Sequence, residues 1–154
     1  GTPRCVEHAW ELRQLLRAKD PSLALGGWAN PHGAADRQVD YLLESHFTAE
    51  FYLTQVVSHH DMAAVTRFVG EAQRRGVTLP GVFGVFYYRS ANPRTLDVLK
   101  GFLPVPAEGL TREFAAGATA EDVCARTVRA LADAGVRETA FVALLPAGEP
   151  QRVD

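Results

Sequence analysis

The chain has 154 residues, of which 16 are Lys or Arg and 18 are Asp or Glu, for a formal net charge of −2. With no basic excess, nucleic acid and anionic membrane surfaces are not expected as partners. At 47 % hydrophobic and 22 % charged residues the composition is that of one ordinary globular domain, not of a disordered chain.

The longest apolar runs, such as residues 82–88, fall well short of the roughly 20 residues that span a bilayer. The opening residues do not read as a signal peptide. Two cysteines, Cys5 and Cys124, cannot build a disulfide framework, so a reducing cytoplasmic setting is expected. The first residue is Gly1 and the chain opens directly into a helix pattern, so an upstream segment is expected.

In chain order, residues 3–19 predict an amphipathic helix, with Val6, Ala9, Trp10, Leu12, Leu15 and Leu16 at helical spacing, a Thr2 cap and Pro3 in the first turn. Asp20-Pro21 ends it. Residues 22–28 form a short apolar strand that runs into the polar loop Ala29-Asn30-Pro31-His32-Gly33, and a second helix is expected over 34–47. Residues 51–57 are rich in aromatic and β-branched side chains and predict a strand. Ser58 and Asp61 have capping-box spacing before a helix that stops at Gly76.

Residues 82–88 predict a third strand, and Asn92-Pro93 a cap and first-turn proline for a short helix to about Lys100. The stretch 102–109 is punctuated by Pro and Gly and reads as a loop. Thr119 and Asp122 open another helix that ends at Gly135, and residues 139–145 predict a last strand.

Strands separated by helical crossovers pair in parallel, and near-continuous apolar strands predict burial on both faces. A closed (β/α)8 barrel needs roughly 250 residues. Four strands therefore fit half of such a TIM-type α/β barrel over residues 1–145, followed by a polar tail over 146–154.

In parallel sheets, ligands bind beyond the carboxyl ends of the strands. Among the residues placed there, His32 has a ring nitrogen able to meet a phosphate or ribose, or alternatively to cap loop backbone. Gln55 interrupts an apolar strand, where an unpaired amide is costly. It either bonds the edge of a planar heterocycle, with donor and acceptor side by side, or satisfies a polar neighbour.

His59-His60-Asp61 has the composition of a metal cluster. Adjacent side chains diverge, however, and no Cys or Glu stands at matching spacing, so no metal centre is expected and Asp61 is assigned to the capping box. Gly26-Gly27 marks a close approach by ligand or backbone. The aromatic run Phe83, Phe86, Tyr87, Tyr88 reads as core and rim, as does Cys124. No glycine-rich nucleotide motif and no nucleophile elbow is present.

The motifs Leu25-Gly26-Gly27-Trp28-Ala29-Asn30-Pro31-His32, Leu53-Thr54-Gln55 and Leu79-Pro80-Gly81-Val82, with a closing strand after Gly135-Val136, come in the order seen in the carboxyl-terminal half of the methylenetetrahydrofolate reductase family. The chain resembles that half from about Arg4 to Leu145. The resemblance implies hydride transfer from NADH or NADPH, with or without FAD, to the methylene carbon of methylenetetrahydrofolate.

It further implies that Gln55 binds the folate substrate and that Gly26, Trp28, Asn30 and His32 contact the cofactor. Glu44 stands about where the family carries a flavin-holding Lys, and Asn30 where an acidic residue is common. The family's general acid and flavin-tuning Asp come from earlier strands, so no catalytic residue is expected within this half. The upstream half of the barrel is the expected partner. The alternative is a non-catalytic half-barrel that assembles with a second copy of itself through its strand edges.

Overall fold

A computed structural model describes residues 6–143. The elements are α1 (Ala9–Lys19), β1 (Gly26–Ala29), α2 (Ala35–Leu43), β2 (Phe51–Thr54), a 3-10 turn (His59–Asp61), α3 (Met62–Arg74), β3 (Gly81–Phe86), α4 (Pro93–Lys100), α5 (Ala107–Ala115), α6 (Ala120–Asp133) and β4 (Glu138–Val142). The four strands form one all-parallel sheet in sequential order, β1-β2-β3-β4.

One face of that sheet is covered by helices. Ala29, Tyr52, Phe83 and Val85 point to it and share a core with Val39 and Leu42 of α2, Val65 and Phe68 of α3, and Cys124 and Leu131 of α6. Phe68 is the pivot. It is fully buried and meets Tyr52 and Phe83 edge-on at 6.0 and 6.2 Å, a burial contributing about 1.5–3 kcal/mol.

The expectation of burial on both faces fails over β1 and β2. Side chains alternate along a strand, and the opposite face carries Trp28, 55 % exposed, and its register partner Leu53, 41 % exposed. Only at the carboxyl end of β3 is that side closed. There Val56, Phe86 and Tyr88 pack with Leu96 and Leu99 of α4, Leu110 of α5 and Val123 of α6.

Several predicted signals act as read. Asn92 Oδ1 accepts from the Thr95 N–H, the reciprocal Thr119–Asp122 capping box forms, and Gly76 and Gly135 end their helices at φ +73° and +87°. Others move. The first helix begins at Ala9, capped by His8 with Glu11 reaching back; Thr2, Pro3 and Cys5 lie outside the described residues. No residue of α1 is buried, so its leucines do not form the expected core stripe. The second helix stops at Leu43 because Glu44 is already extended.

The second strand loses its regular pairing after Thr54, because the Thr54 hydroxyl takes the Gly84 N–H in place of a ladder carbonyl; a single bridge, Val57 to Val85, follows. The stretch read as a loop ends in the first three residues of α5, which continues to Ala115 and whose N-cap position is Pro106. Of the expected last strand, residues 144 and 145 lie outside the described residues, as does the 146–154 tail.

Candidate functional site

The loop after β1 is fixed by its own polar groups. Asn30 Oδ1 accepts from the His32 N–H, closing an Asx turn, and the Asn30 N–H donates to Gln38 Oε1 at 2.8 Å. These bonds aim the His32 ring across to the next strand end. Its Nδ1 lies 2.9 Å from Asp61 Oδ2 and its Nε2 2.9 Å from the Val56 carbonyl. Both neighbours are acceptors, an arrangement complete only when the ring carries both protons. His32 thus ties the two carboxyl-end loops together, and any ligand contact through a ring nitrogen has to displace one of these bonds.

Asp61 is not half of a capping box. Ser58 is the cap, taking the His60 N–H on Oγ, and the Asp61 carboxylate is directed to His32.

Gln55 lies one residue beyond β2, at its carboxyl end. Its N–H donates to the Ala29 carbonyl and its Oε1 accepts the Val56 N–H at 2.9 Å. No acceptor among the described residues meets its amide NH2. By strand alternation it follows Leu53 on the bare face that also carries Trp28.

Trp28 and Gly26 border a groove of about 660 Å³ along the free edge of β1, shared with Trp10, Arg13, Tyr41 and Glu44. What approaches Gly26 and Gly27 is neither ligand nor backbone. A Cβ on Gly26 would stand 2.7 Å from the Phe51 ring, and one on Gly27 2.0 Å from the Phe47 ring. Glu44 pairs with His46 at 2.8 Å. His32 lines a different cleft, of about 310 Å³, with Ser58, His60, Asp61 and Pro104–Pro106. The predicted site residues are therefore divided: Gly26 and Trp28 in the edge groove, His32 in the second cleft, Asn30 and Gln55 in neither.

The aromatic run behaves as core and rim: Phe83, Phe86 and Tyr88 are buried, while the Tyr87 hydroxyl donates to Glu121. Cys124 is buried as expected, and burial pushes its thiol up.

Beside the second cleft lies a cluster that spacing does not reveal. The rings of His59 and His60 do not diverge; their centroids are 4.1 Å apart. His59 Nε2 lies 3.0 Å from Glu113 Oε1, and His60 Nε2 lies 2.9 Å from Glu113 Oε2. Glu113 comes from α5, and its Oε1 also takes a hydrogen bond from Arg126 of α6. His59 Nδ1 is 2.9 Å from the Thr127 hydroxyl, which itself donates to the Val123 carbonyl one turn back.

Gly109 completes the arrangement, since a Cβ there would stand 2.5 Å from the His60 ring. Burial pushes the Glu113 carboxyl up, but hydrogen bonds from Arg126, His60 and His59 outweigh it and bring it to about 2. Burial lowers the His59 imidazole, and the neighbouring His60 adds to this, against the pull of Glu113.

Glu113, Arg126 and Thr127 were missed because they lie 53 to 68 residues from the histidines, and Glu113 also because its helix is hidden behind Pro and Gly. The one available signal was the apolar pair Leu110 and Phe114 at i, i+4 within that segment.

Searches of protein-family models and of curated proteins find no match to this chain.

Proposed function

We propose that this chain is the carboxyl-terminal half of a (β/α)8 barrel oxidoreductase of the methylenetetrahydrofolate reductase type, binding folate and reduced nicotinamide at the carboxyl ends of its strands. The observation that carries the reading is the one-sided sheet. Four parallel strands in sequential order, with α2, α3 and α6 on one face and Trp28 and Leu53 bare on the other, are what a barrel wall looks like when its other half is removed. A complete doubly wound sheet carries helices on both faces.

In this reading Gln55 holds the pterin edge through its amide NH2 and Trp28 packs on a planar ring. Together they hold donor and acceptor carbons in line, so that the hydride and its electron pair pass from the nicotinamide to the methylene carbon. The proton for the ring nitrogen comes from the missing half. The residues do not fit a resident flavin. Phe47 and Phe51 fill the space over Gly27 and Gly26, both His32 nitrogens are engaged, and Glu44, paired with His46, stands about where the resemblance implies a flavin-holding Lys.

Tryptophan fluorescence during titration with 5-methyltetrahydrofolate tests the proposal. Binding that weakens about tenfold or more in Gln55→Ala, a loss of roughly 1.4 kcal/mol, supports it, as does absence of turnover by the chain alone with NADH and methylenetetrahydrofolate. No folate binding by the unaltered chain overturns it. A second reading, a non-catalytic module that pairs with its own copy, is favoured by the edge strands β1 and β4, which have no outer strand partner among the described residues and expose Trp28 and Phe141. A folate-insensitive homodimer in sedimentation would select that reading.

A further inference from the structure

We infer that His59, His60 and Glu113 form a binding site for a divalent transition-metal ion of the zinc and cobalt class. The site is independent of the reductase reading and rests on geometry. His59 Nδ1 lies 2.9 Å from the Thr127 hydroxyl, which is itself tied to the Val123 carbonyl and so fixes the orientation of the ring. Its Nε2 faces a Glu113 carboxylate oxygen at 3.0 Å, at which a neutral ring with its proton on Nδ1 would present a lone pair. A cation there would take the place of the hydrogen bond that His59 otherwise gives to Glu113.

His60 directs its Nε2 at the other oxygen of the same carboxylate, and one ligand atom from each of the three residues lies within 4.8 Å of the others. Two imidazole nitrogens and one carboxylate oxygen are a borderline donor set, suited to Zn2+, Co2+ or Ni2+ rather than Ca2+ or Mg2+.

The surroundings are those of a built site. His59 is held by a hydroxyl that is itself buried, in the place where a metal-bound imidazole usually finds a carboxylate, a carbonyl or a water. His60 is seated against a glycine that admits no side chain. The ligands come from the 3-10 turn and from α5, so a bound ion would tie the two segments together. His60 also lines the cleft of His32 and Asp61, which gives an ion with three protein ligands an open side toward solvent and small molecules. Arg126 is the competitor. It donates to the same Glu113 oxygen, and its half-exposed side chain must swing out when a cation enters.

The test is titration of the untagged protein with CoCl2, followed by visible ligand-field absorption and by proton release. The expected result is one Co2+ per chain, displaced by Zn2+. Binding should weaken about 10- to 100-fold in Thr127→Val, which removes only the group orienting His59, and be lost in His60→Ala and in Glu113→Gln. Arg126→Ala should bind Co2+ more tightly than the unaltered chain, whereas a purely hydrogen-bonded clasp predicts only a looser α5. Absence of a visible band up to millimolar Co2+ overturns the assignment. So does a band unchanged in Thr127→Val, His60→Ala and Glu113→Gln, each checked as folded by circular dichroism.

Discussion

Glu50 and Glu113 are both carboxylates held near 2, yet they stand in opposite kinds of structure. Glu50 is brought there by Arg17 and by the Leu25 N–H, and it pins α1 to the edge of the sheet from a solvent-exposed position. The other fastenings of α1 are the Arg17 bond to the Thr48 carbonyl, the tilted pair Trp10–His46 and the Arg13 guanidinium over the Phe47 ring. None of them buries a residue of the helix. The Glu113 side chain is only 14 % exposed, and the helix that carries it also buries Leu110. A similar shift in acidity thus accompanies a surface tether in one region and a packed junction in the other. The degree of depression says how well a carboxylate is hydrogen-bonded, not how much the fold depends on it.

The largest effect that sharpens this contrast is in the apolar partners. Leu110→Ala should lower unfolding free energy by about 2–5 kcal/mol in urea denaturation, whereas Leu15→Ala, on the exposed face of α1, should stay within about 0.5 kcal/mol. Equal losses would mean that α1 is as firmly packed as α5 and would remove the distinction.

Next comes pH. A carboxylate with a lowered folded value contributes stability that is complete above its ordinary 4.5 and is lost as pH falls toward about 2, and this holds for both regions. His59 adds a second window in the α5 region alone. Its lowered value means the folded state binds protons less readily, so stability there is complete above 6.5 and begins to fall as pH drops below it. Hydrogen exchange followed from pH 7.5 to 3 should therefore show α5 amides loosening before those of α1 respond to acid. Simultaneous loosening would refute the two-window account. Smallest is Glu50→Gln, expected to leave the global urea midpoint in place while α1 amides exchange faster at neutral pH.

The elements that cap themselves were legible in the sequence. Asn92, Thr119 with Asp122, Gly76 and Gly135 act through neighbours three or four residues away, and such signals survive folding. Helix α5 was not legible, because Pro104, Pro106 and Gly109 are individually loop residues; here Pro106 precedes the first turn and Gly109 makes room for an imidazole. Asp61 could be read either as a cap partner or as a partner for a residue 29 positions away, and local spacing favoured the answer the fold rejects. The candidate site was half visible for the same reason. His32, Gln55 and the His59-His60 pair sit at strand ends that periodicity locates, but Glu113 reaches the pair only through tertiary packing.

Gly109 carries a consequence for how such a chain can vary. A glycine inside a helix ordinarily gains stability when it becomes alanine, by about 0.5–1 kcal/mol. At this position the added methyl would enter the ring of His60, so the usual gain turns into a loss for as long as that histidine remains. Remove the imidazole first and the penalty disappears. Positions 60 and 109 therefore form one inherited unit: the alanine is admissible only after the histidine is lost, which fixes the order in which the two substitutions can accumulate.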